Sequence, residues 1–343
     1  VTSSTLEGLD LDALDRHLRA QGIARSGDLR GELIAGGRSN LTFLVFDDAS
    51  KWVLRRPPLH GLTPSAHDMV REYRVVAALA ATAVPVAGAV TMSNDDSVLG
   101  APFQMVEHVE GRVIRTAEEL QTLGDRNVLD ECVNSLIKVL AELHAVEPAA
   151  VGLADFGKPQ GYLDRQVRRW GSQWELVRLD DDPRDADVTR LHQALAAAVP
   201  PQSRASIVHG DYRIDNTILD ATDATTVRAV LDWEMSTLGD PLSDAALMCV
   251  YRHPTFNYVH DEAAWTSPLL PTADEMAERY ATLSGQPLAH WNFYMALAYF
   301  KLAIIAAGID YRARMGAGGP DNVGDAVAPL IAAGLEALTT EGW

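Results

Sequence analysis

Positive charge, cysteine and long uninterrupted apolar runs are all scarce in this 343-residue sequence. Twenty-nine Lys and Arg stand against 47 Asp and Glu, a formal net charge of −18. A nucleic-acid binder needs a basic footprint to neutralise phosphates, so an excess of this sign excludes nucleic acid as a partner. Cys132 and Cys249 are too few and too far apart for a disulfide framework or a zinc module, which points to a reducing, cytoplasmic compartment. The longest apolar stretch, Met295 to Ile309, contains Lys301 and falls short of the roughly twenty residues a bilayer span needs, so a core helix and no membrane partner are expected. The start, Val-Thr-Ser-Ser-Thr-Leu-Glu, lacks the basic flank and apolar core of a secretory signal. Internal repeats and low-complexity tracts are also missing. Apolar residues at 47% and charged ones at 22% are the proportions of a globular chain, which excludes global disorder.

What is present divides by pattern. Leu11, Leu14 and Leu18 recur at helical spacing after Asp10, with Gly22 as a stop. Leu41 to Phe46 alternates, Asp47-Asp48-Ala49-Ser50 makes a turn, and Lys51 to Arg56 resumes an extended run closed by Pro57-Pro58, which predicts an antiparallel hairpin. From Ser65 the period becomes 3.6, with Glu72, Val75, Val76 and Leu79 on one face. Phe103 to Val109 is a further strand. Beyond it the pattern is helical: Val133 to His144, Leu163 to Trp174, Trp291 to Ile309, and Val323 to Leu338 with an expected kink at Pro329. The order predicts a small β-rich lobe with one helix, then a larger helical lobe, with a linker near 107–111.

The segment Val208-His209-Gly210-Asp211-Tyr212-Arg213-Ile214-Asp215-Asn216, followed by Val230-Leu231-Asp232-Trp233-Glu234, carries the chemistry. Two apolar strands each bring polar groups to one end. Asp211 and Asn216 are five apart, the spacing of base and metal-binding amide in a kinase catalytic loop, and a second carboxylate, Asp232, follows on the next strand. Phosphoryl transfer to a hydroxyl needs this set: one carboxylate to orient the hydroxyl and take its proton, and hard oxygens to hold magnesium against nucleotide phosphates.

His-Gly-Asp with Asn five positions after the Asp, then Asp-Trp-Glu and Gly239-Asp240-Pro241, resembles the aminoglycoside phosphotransferase and choline kinase group of kinase-like enzymes. The resemblance covers most of the chain. It implies an α+β, bilobal, protein-kinase-like fold, with residues 1–109 as nucleotide-binding lobe and 110–343 as catalytic and substrate lobe. It also implies ATP and Mg2+ as cofactors. On that resemblance Asp211 is the catalytic base and Asn216 and Asp232 bind magnesium. His209 braces the loop, and Asp240 before Pro241 suits a helix N-cap. Arg213 stands two residues after the base, where a contact to the transferred phosphate and a surface salt bridge are both open.

In the upstream lobe Gly36, Gly37, Ser39 and Asn40 join the first two strands, as a phosphate-approaching loop or a plain hairpin turn. Val53 and Arg55 share a strand face in the places of the alanine and lysine of the kinase third strand, with Glu72 as the ion-pair partner. Arg56 points the other way and is expected in solvent. Arginine at 55 departs from the usual lysine, a change of geometry as well as residue. Met105 to Val109, including Glu107 and Val109, is the expected hinge whose backbone pairs with adenine. Gly210 and Glu234 replace residues tied to activation-loop control in protein kinases, so no phosphorylation switch is expected.

Val53-Leu54-Arg55-Arg56-Pro57-Pro58, Pro64-Ser65-Ala66-His67-Asp68, Arg71-Glu72-Tyr73-Arg74 and Asp232 to Pro241 are similar to the kinase-like domain found fused to, or encoded beside, acyl-CoA dehydrogenases. In that subgroup arginine at 55 is typical. The resemblance implies a hydroxylated fatty acid or its CoA ester as the small-molecule acceptor. Tyr162, Gln166 and Arg169 fall on one helical face, in a locally basic stretch suited to an acid or CoA phosphates. Two other readings stand beside this one: an aminoglycoside-type antibiotic phosphotransferase, with Asp180-Asp181-Asp182 as acceptor carboxylates or as a solvated loop, and a pseudokinase binding module.

Overall fold

The computed structural model describes residues 6–36, 40–59, 68–317 and 322–340. By packing, the chain divides into two units: residues up to Gly111 together with Arg228–Ser236, and Arg112–Val227 together with Thr237 onward.

The first unit opens with α1 (Leu11–Ala20), whose first turn Asp10 caps by accepting the Ala13 N–H at 2.9 Å. Strands β1 (Arg30–Gly36), β2 (Leu41–Phe46) and β3 (Lys51–Arg56) follow, then α2 (Met69–Leu79), β4 (Ala89–Ser93), α3 (Asp96–Leu99) and β5 (Phe103–Glu107). The sheet order is β1-β2-β3-β5-β4. The predicted hairpin pairs in full, from Leu41↔Arg56 to Phe46↔Lys51. Asp47 closes its turn by accepting the Ala49 and Ser50 N–H groups at 2.8 and 2.7 Å. The helix expected from residue 65 is α2, capped by Asp68; residues 65–67 lie outside the described residues. β4 and the single turn of α3 are too short to announce themselves by period.

The side-chain period of two gives β3 two different faces. Trp52 and Leu54 enter a core with Leu14, Leu18, Phe43, Val45, Phe103 and Met105. Arg56 shares that face and is buried rather than solvated. Its guanidinium donates to the carbonyls of Gly8 and Leu99 at 2.7 Å each. Leu99 ends α3, where a carbonyl has no intrahelical donor, and a planar group with five N–H bonds can serve two such oxygens at once. Val53 and Arg55 alternate to the opposite face.

The second unit contains α4 (Ala117–Gln121), α5 (Arg126–Ala145), α6 (Tyr162–Val177), α7 (Asp185–Ala197), β6 (Ser206–Val208) and β7 (Thr217–Leu219). The chain then returns to the first unit through β8 (Val227–Val230) before β9 (Thr237–Gly239), which pairs antiparallel with β6. Helices α8 (Pro241–Val250), α9 (Ala273–Ser284), α10 (Trp291–Arg312) and α11 (Val327–Thr339) complete it. α10 packs against α6, α8 and α11 and buries Phe293, Tyr294, Leu297, Phe300 and Ile304. The helix outruns the apolar run read from the sequence. With its continuation to Gly316 it is long and apolar enough to cross a bilayer, and 67% of its apolar window is buried inside the protein. Burial, not length, therefore marks it as a core helix. Pro329 does not kink a long final helix: Val323–Ala326 is a separate 3-10 turn, and Pro329 falls in the first turn of α11, where its missing N–H costs little. Cys132 and Cys249 are both free and buried.

Candidate active site

In the second unit β6 ends at Val208 and delivers His209, Gly210 and Asp211. The loop is clamped from α8: Asp244 accepts the His209 N–H on Oδ2 at 2.6 Å and the Gly210 N–H on Oδ1 at 2.8 Å. His144 on α5 puts Nε2 3.2 Å from Asp244 Oδ2 and Nδ1 2.7 Å from the Tyr280 hydroxyl. Burial pushes the Asp244 carboxyl up, but His144, His209 and the backbone amide together leave it below its ordinary value. Sequence reasoning did not name Asp244. Its signal was present: an acid inside an otherwise apolar helix, one turn beyond the Asp240 cap. Asp240 itself caps α8 through the Leu242 N–H at 3.0 Å and accepts from Ser203 and from the Tyr294 hydroxyl, a structural role.

The Asp211 carboxylate is held on both oxygens. Asn216 donates from Nδ2 to Oδ2 at 3.0 Å, and the Tyr251 hydroxyl donates to Oδ1. Arg213 places Nε 3.3 Å from Oδ1 and Nη1 2.7 Å from Asp215 Oδ2. Its guanidinium stands 5.5 and 5.4 Å from the ring centroids of Tyr251 and Phe256. Arg213 is thus a buried link between two carboxylates and not a surface salt bridge. Burial would raise the Asp211 pKa; Arg213, the Tyr251 hydroxyl, His209 and Lys301 outweigh it and keep the group below the usual carboxylate range. Tyr251 is a site residue that the loop motif could not indicate, since it lies forty positions downstream. His209 braces the loop as expected, accepting the Asp211 N–H on Nδ1 at 3.2 Å.

In the first unit Arg55 on β3 makes an ion pair with Glu72 on α2 and reaches Asp232 Oδ1 at 3.4 Å. Burial would lower the Arg55 pKa, but Glu72 and then Asp232 more than offset it, so the guanidinium is firmly charged. Burial pushes the Glu72 carboxyl up, with Arg55 pulling against it. Asp232 takes φ +60°, the left-handed region, just after β8. Few residues adopt it, Asp and Asn more readily than most. Gly36 ends β1 opposite Leu41, and Asn40 is buried. Gly37 and Ser39 lie outside the described residues. In the expected hinge the N–H groups of Glu107 and His108 donate to the carbonyls of Gly88 and Lys51, so those two amides are engaged within the first unit.

Tyr162 and Gln166 on α6 line a cavity of about 20 Å³ with Trp170, Gly210, Ser243, Asp244 and Lys301. That volume admits about one water molecule, so an acceptor itself must lie outside it. Gln166 accepts from Trp170 Nε1 at 3.1 Å. Arg169 is exposed, with its guanidinium 5.3 Å from the Trp170 ring centroid. Of the neighbouring basic residues, Arg165 donates to the carbonyls of Lys158 and Gln160, and Arg178 pairs with Glu175. The acidic run splits: Asp180 and Asp181 are exposed, whereas Asp182 is buried against Arg184.

The pair expected at the centre of a phosphotransferase loop, Asp211 and Asn216, is joined by a hydrogen bond of 3.0 Å. The model of the Phosphotransferase enzyme family matches residues 30–290, and the chain belongs to that family. It is 34% identical over 312 residues to acyl-CoA dehydrogenase family member 10 of Mus musculus, covering 89% of this chain and 28% of that protein. It is 32% identical over 333 residues to acyl-CoA dehydrogenase family member 11 of Homo sapiens, covering 94% of this chain and 42% of that protein. The chain therefore spans less than half the length of these curated relatives. A crystal structure from Ralstonia eutropha, assigned as an aminoglycoside phosphotransferase, superposes with TM-score 0.82 at 32% identity, covering 96% of this chain and 98% of that one. The ternary complex of aminoglycoside phosphotransferase APH(4)-Ia with ADP and hygromycin B superposes with TM-score 0.63 at 15% identity, covering 95% and 99%, a likeness of fold.

Proposed function

We propose that this protein is an ATP- and magnesium-dependent kinase that phosphorylates the hydroxyl of a small molecule, namely a hydroxylated fatty acid or its CoA ester. The observation that carries the reading is the Asp211 carboxylate, oriented on both oxygens and joined to Asn216 at 3.0 Å. Asp211 receives the acceptor hydroxyl, aligns its oxygen, and takes its proton as transfer completes. A carboxylate kept ionised by Arg213 and Tyr251 is suited to that late proton transfer. Arg55, held by Glu72, faces the nucleotide phosphates in place of the usual lysine. Arg213 anchors Asp211 and leaves the transferred phosphoryl group to the other cations.

The donors suit magnesium. Asn216 uses its amide nitrogen on Asp211, which leaves its carbonyl oxygen as the acceptor atom, and Asp232 supplies a partly exposed carboxylate. An ion of this kind is bound by one or two protein oxygens together with nucleotide phosphates. Magnesium, when bound, neutralises charge on those phosphates. A reducing, cytoplasmic location fits two buried free thiols.

The acyl acceptor rests on the relatives named for acyl-CoA dehydrogenases and on the basic stretch around Arg169. An aminoglycoside acceptor would call for carboxylates, and Asp182 is spent on Arg184. The test is consumption of Mg-ATP across hydroxy fatty acids, their CoA esters and aminoglycosides. Wild type phosphorylates a hydroxyacyl compound, and Asp211→Asn loses about three orders of magnitude in kcat. Equal ATP consumption by the two proteins sinks the kinase reading in favour of a binding module.

A further inference from the structure

We propose that Lys301 is a positioning residue for the phosphoryl transfer: its ammonium holds the peptide group between Gly210 and Asp211 in the orientation that presents the Asp211 carboxylate. The inference rests on the kinase reading above. Between Phe293 and Ile309, Lys301 is the one charged side chain of α10. Burial there pushes its pKa down, against the pull of Asp211 and Asp244. Such a site is unfavourable for a lysine unless a partner compensates. The compensation lies in the catalytic loop. Lys301 Nζ donates to the Gly210 carbonyl at 2.7 Å and stands 5.8 Å from the Trp170 ring centroid.

The Gly210 carbonyl and the Asp211 N–H belong to one peptide group, and the structure grips both ends. Lys301 holds the oxygen; His209 Nδ1 accepts the N–H at 3.2 Å. Gly210 takes φ +87°, a conformation only glycine adopts freely, and the same freedom lets the following peptide turn over at little local cost. Asp244 fixes the N–H of Gly210 but cannot fix the peptide that follows. A turned peptide would point its carbonyl away from a buried cation and swing the Asp211 side chain off Asn216 and Tyr251. Misplacement of a reacting group by about 1 Å can cost about a hundredfold in rate.

The experiment uses the full chain with Mg-ATP and the acyl panel above, comparing wild type, Lys301→Met and Lys301→Gln. Lys301→Met keeps the stem and removes the donor. It should lower kcat by about 10- to 100-fold with nucleotide KM within about twofold and a lower Tm, because the Gly210 carbonyl loses its donor. Lys301→Gln, which restores an N–H donor and covers the case in which Lys301→Met does not fold, should recover most of kcat. Amide exchange at Asp211, which needs no turnover, should quicken in Lys301→Met and return toward wild type in Lys301→Gln. Unchanged kcat or unchanged exchange in Lys301→Met overturns the proposal, as does a kcat loss that Lys301→Gln leaves in place. A wild type that phosphorylates nothing would instead defeat the kinase reading, while the exchange measurement would still decide whether Lys301 holds the loop.

Discussion

Asn216 gives its side-chain amide nitrogen to Asp211 twice, to the backbone carbonyl at 2.8 Å and to Oδ2 at 3.0 Å. The two residues are joined through the 3-10 turn Ile214–Asn216, so the spacing of five is the chain length that lets one side chain reach back over the loop. Asn216→Ala should therefore lower kcat by roughly a hundredfold and raise the magnesium concentration needed for half-maximal rate. Asn216→Asp, which keeps an oxygen for the cation, should restore part of the magnesium dependence. Initial rates against magnesium decide it; an unchanged magnesium requirement in Asn216→Ala would remove Asn216 from the metal.

Glu72 aims Arg55. Without its carboxylate the guanidinium loses the ion pair that ties it to α2, while the longer contact to Asp232 remains. Glu72→Ala should raise nucleotide KM about tenfold with a smaller change in kcat, the pattern of a lost binding contact. Arg55→Lys, which preserves charge and loses the fork, should fall between the two. Steady-state kinetics with varied ATP would show this. A pure kcat loss would mean that the pair serves the chemical step.

Asp182 makes stability depend on acid. Arg184 holds its carboxyl down to about 2, against an ordinary value of 3.8, in spite of burial. A depressed carboxyl contributes fully above its unfolded value and loses that contribution as protons bind the folded form. The ion pair should be worth about 2 kcal/mol at neutral pH, fading between pH 3.8 and about 2. Asp182→Asn should lose this increment at pH 7 and converge on wild type near pH 2 in urea unfolding. A difference that persists unchanged at pH 2 would assign the effect to packing.

Arg56 ties three stretches of the first unit together. Arg56→Met leaves the Gly8 and Leu99 carbonyls inside without a donor, which should cost about 3 kcal/mol in urea unfolding. Arg56→Lys should recover less than half, since one ammonium cannot reproduce a planar fork. A loss below about 0.5 kcal/mol would show that water replaces the guanidinium.

Local signals made much of the molecule legible. Alternation and the Asp47 to Ser50 turn predicted β2 and β3, leucine spacing after Asp10 predicted α1, and the His-Gly-Asp to Asn interval located the loop that Asp211 and Asn216 close upon themselves. Each depends on residues within about one turn or one hairpin, where sequence spacing and spatial spacing are nearly the same thing. The acceptor side was less legible. Tyr162 and Gln166 reach the wall of a cavity no larger than a water molecule, because the face of α6 they occupy packs toward α8 and α10.

The sequence by itself therefore determined the β-rich then helical division of the chain, the family resemblance and the pair at the centre of the loop, since these follow from periodicity and short-range spacing. Only the tertiary structure decided what charged side chains do inside: that Arg56 is buried, that Asp182 is clasped, that Asp244, Tyr251 and Lys301 converge on the loop from α8 and α10. These partners lie from 34 to 91 residues away in sequence, apart from Arg184. Burial penalises a charge wherever it falls. Which oxygen or carboxylate answers that penalty is a matter of packing, and packing brings distant residues together.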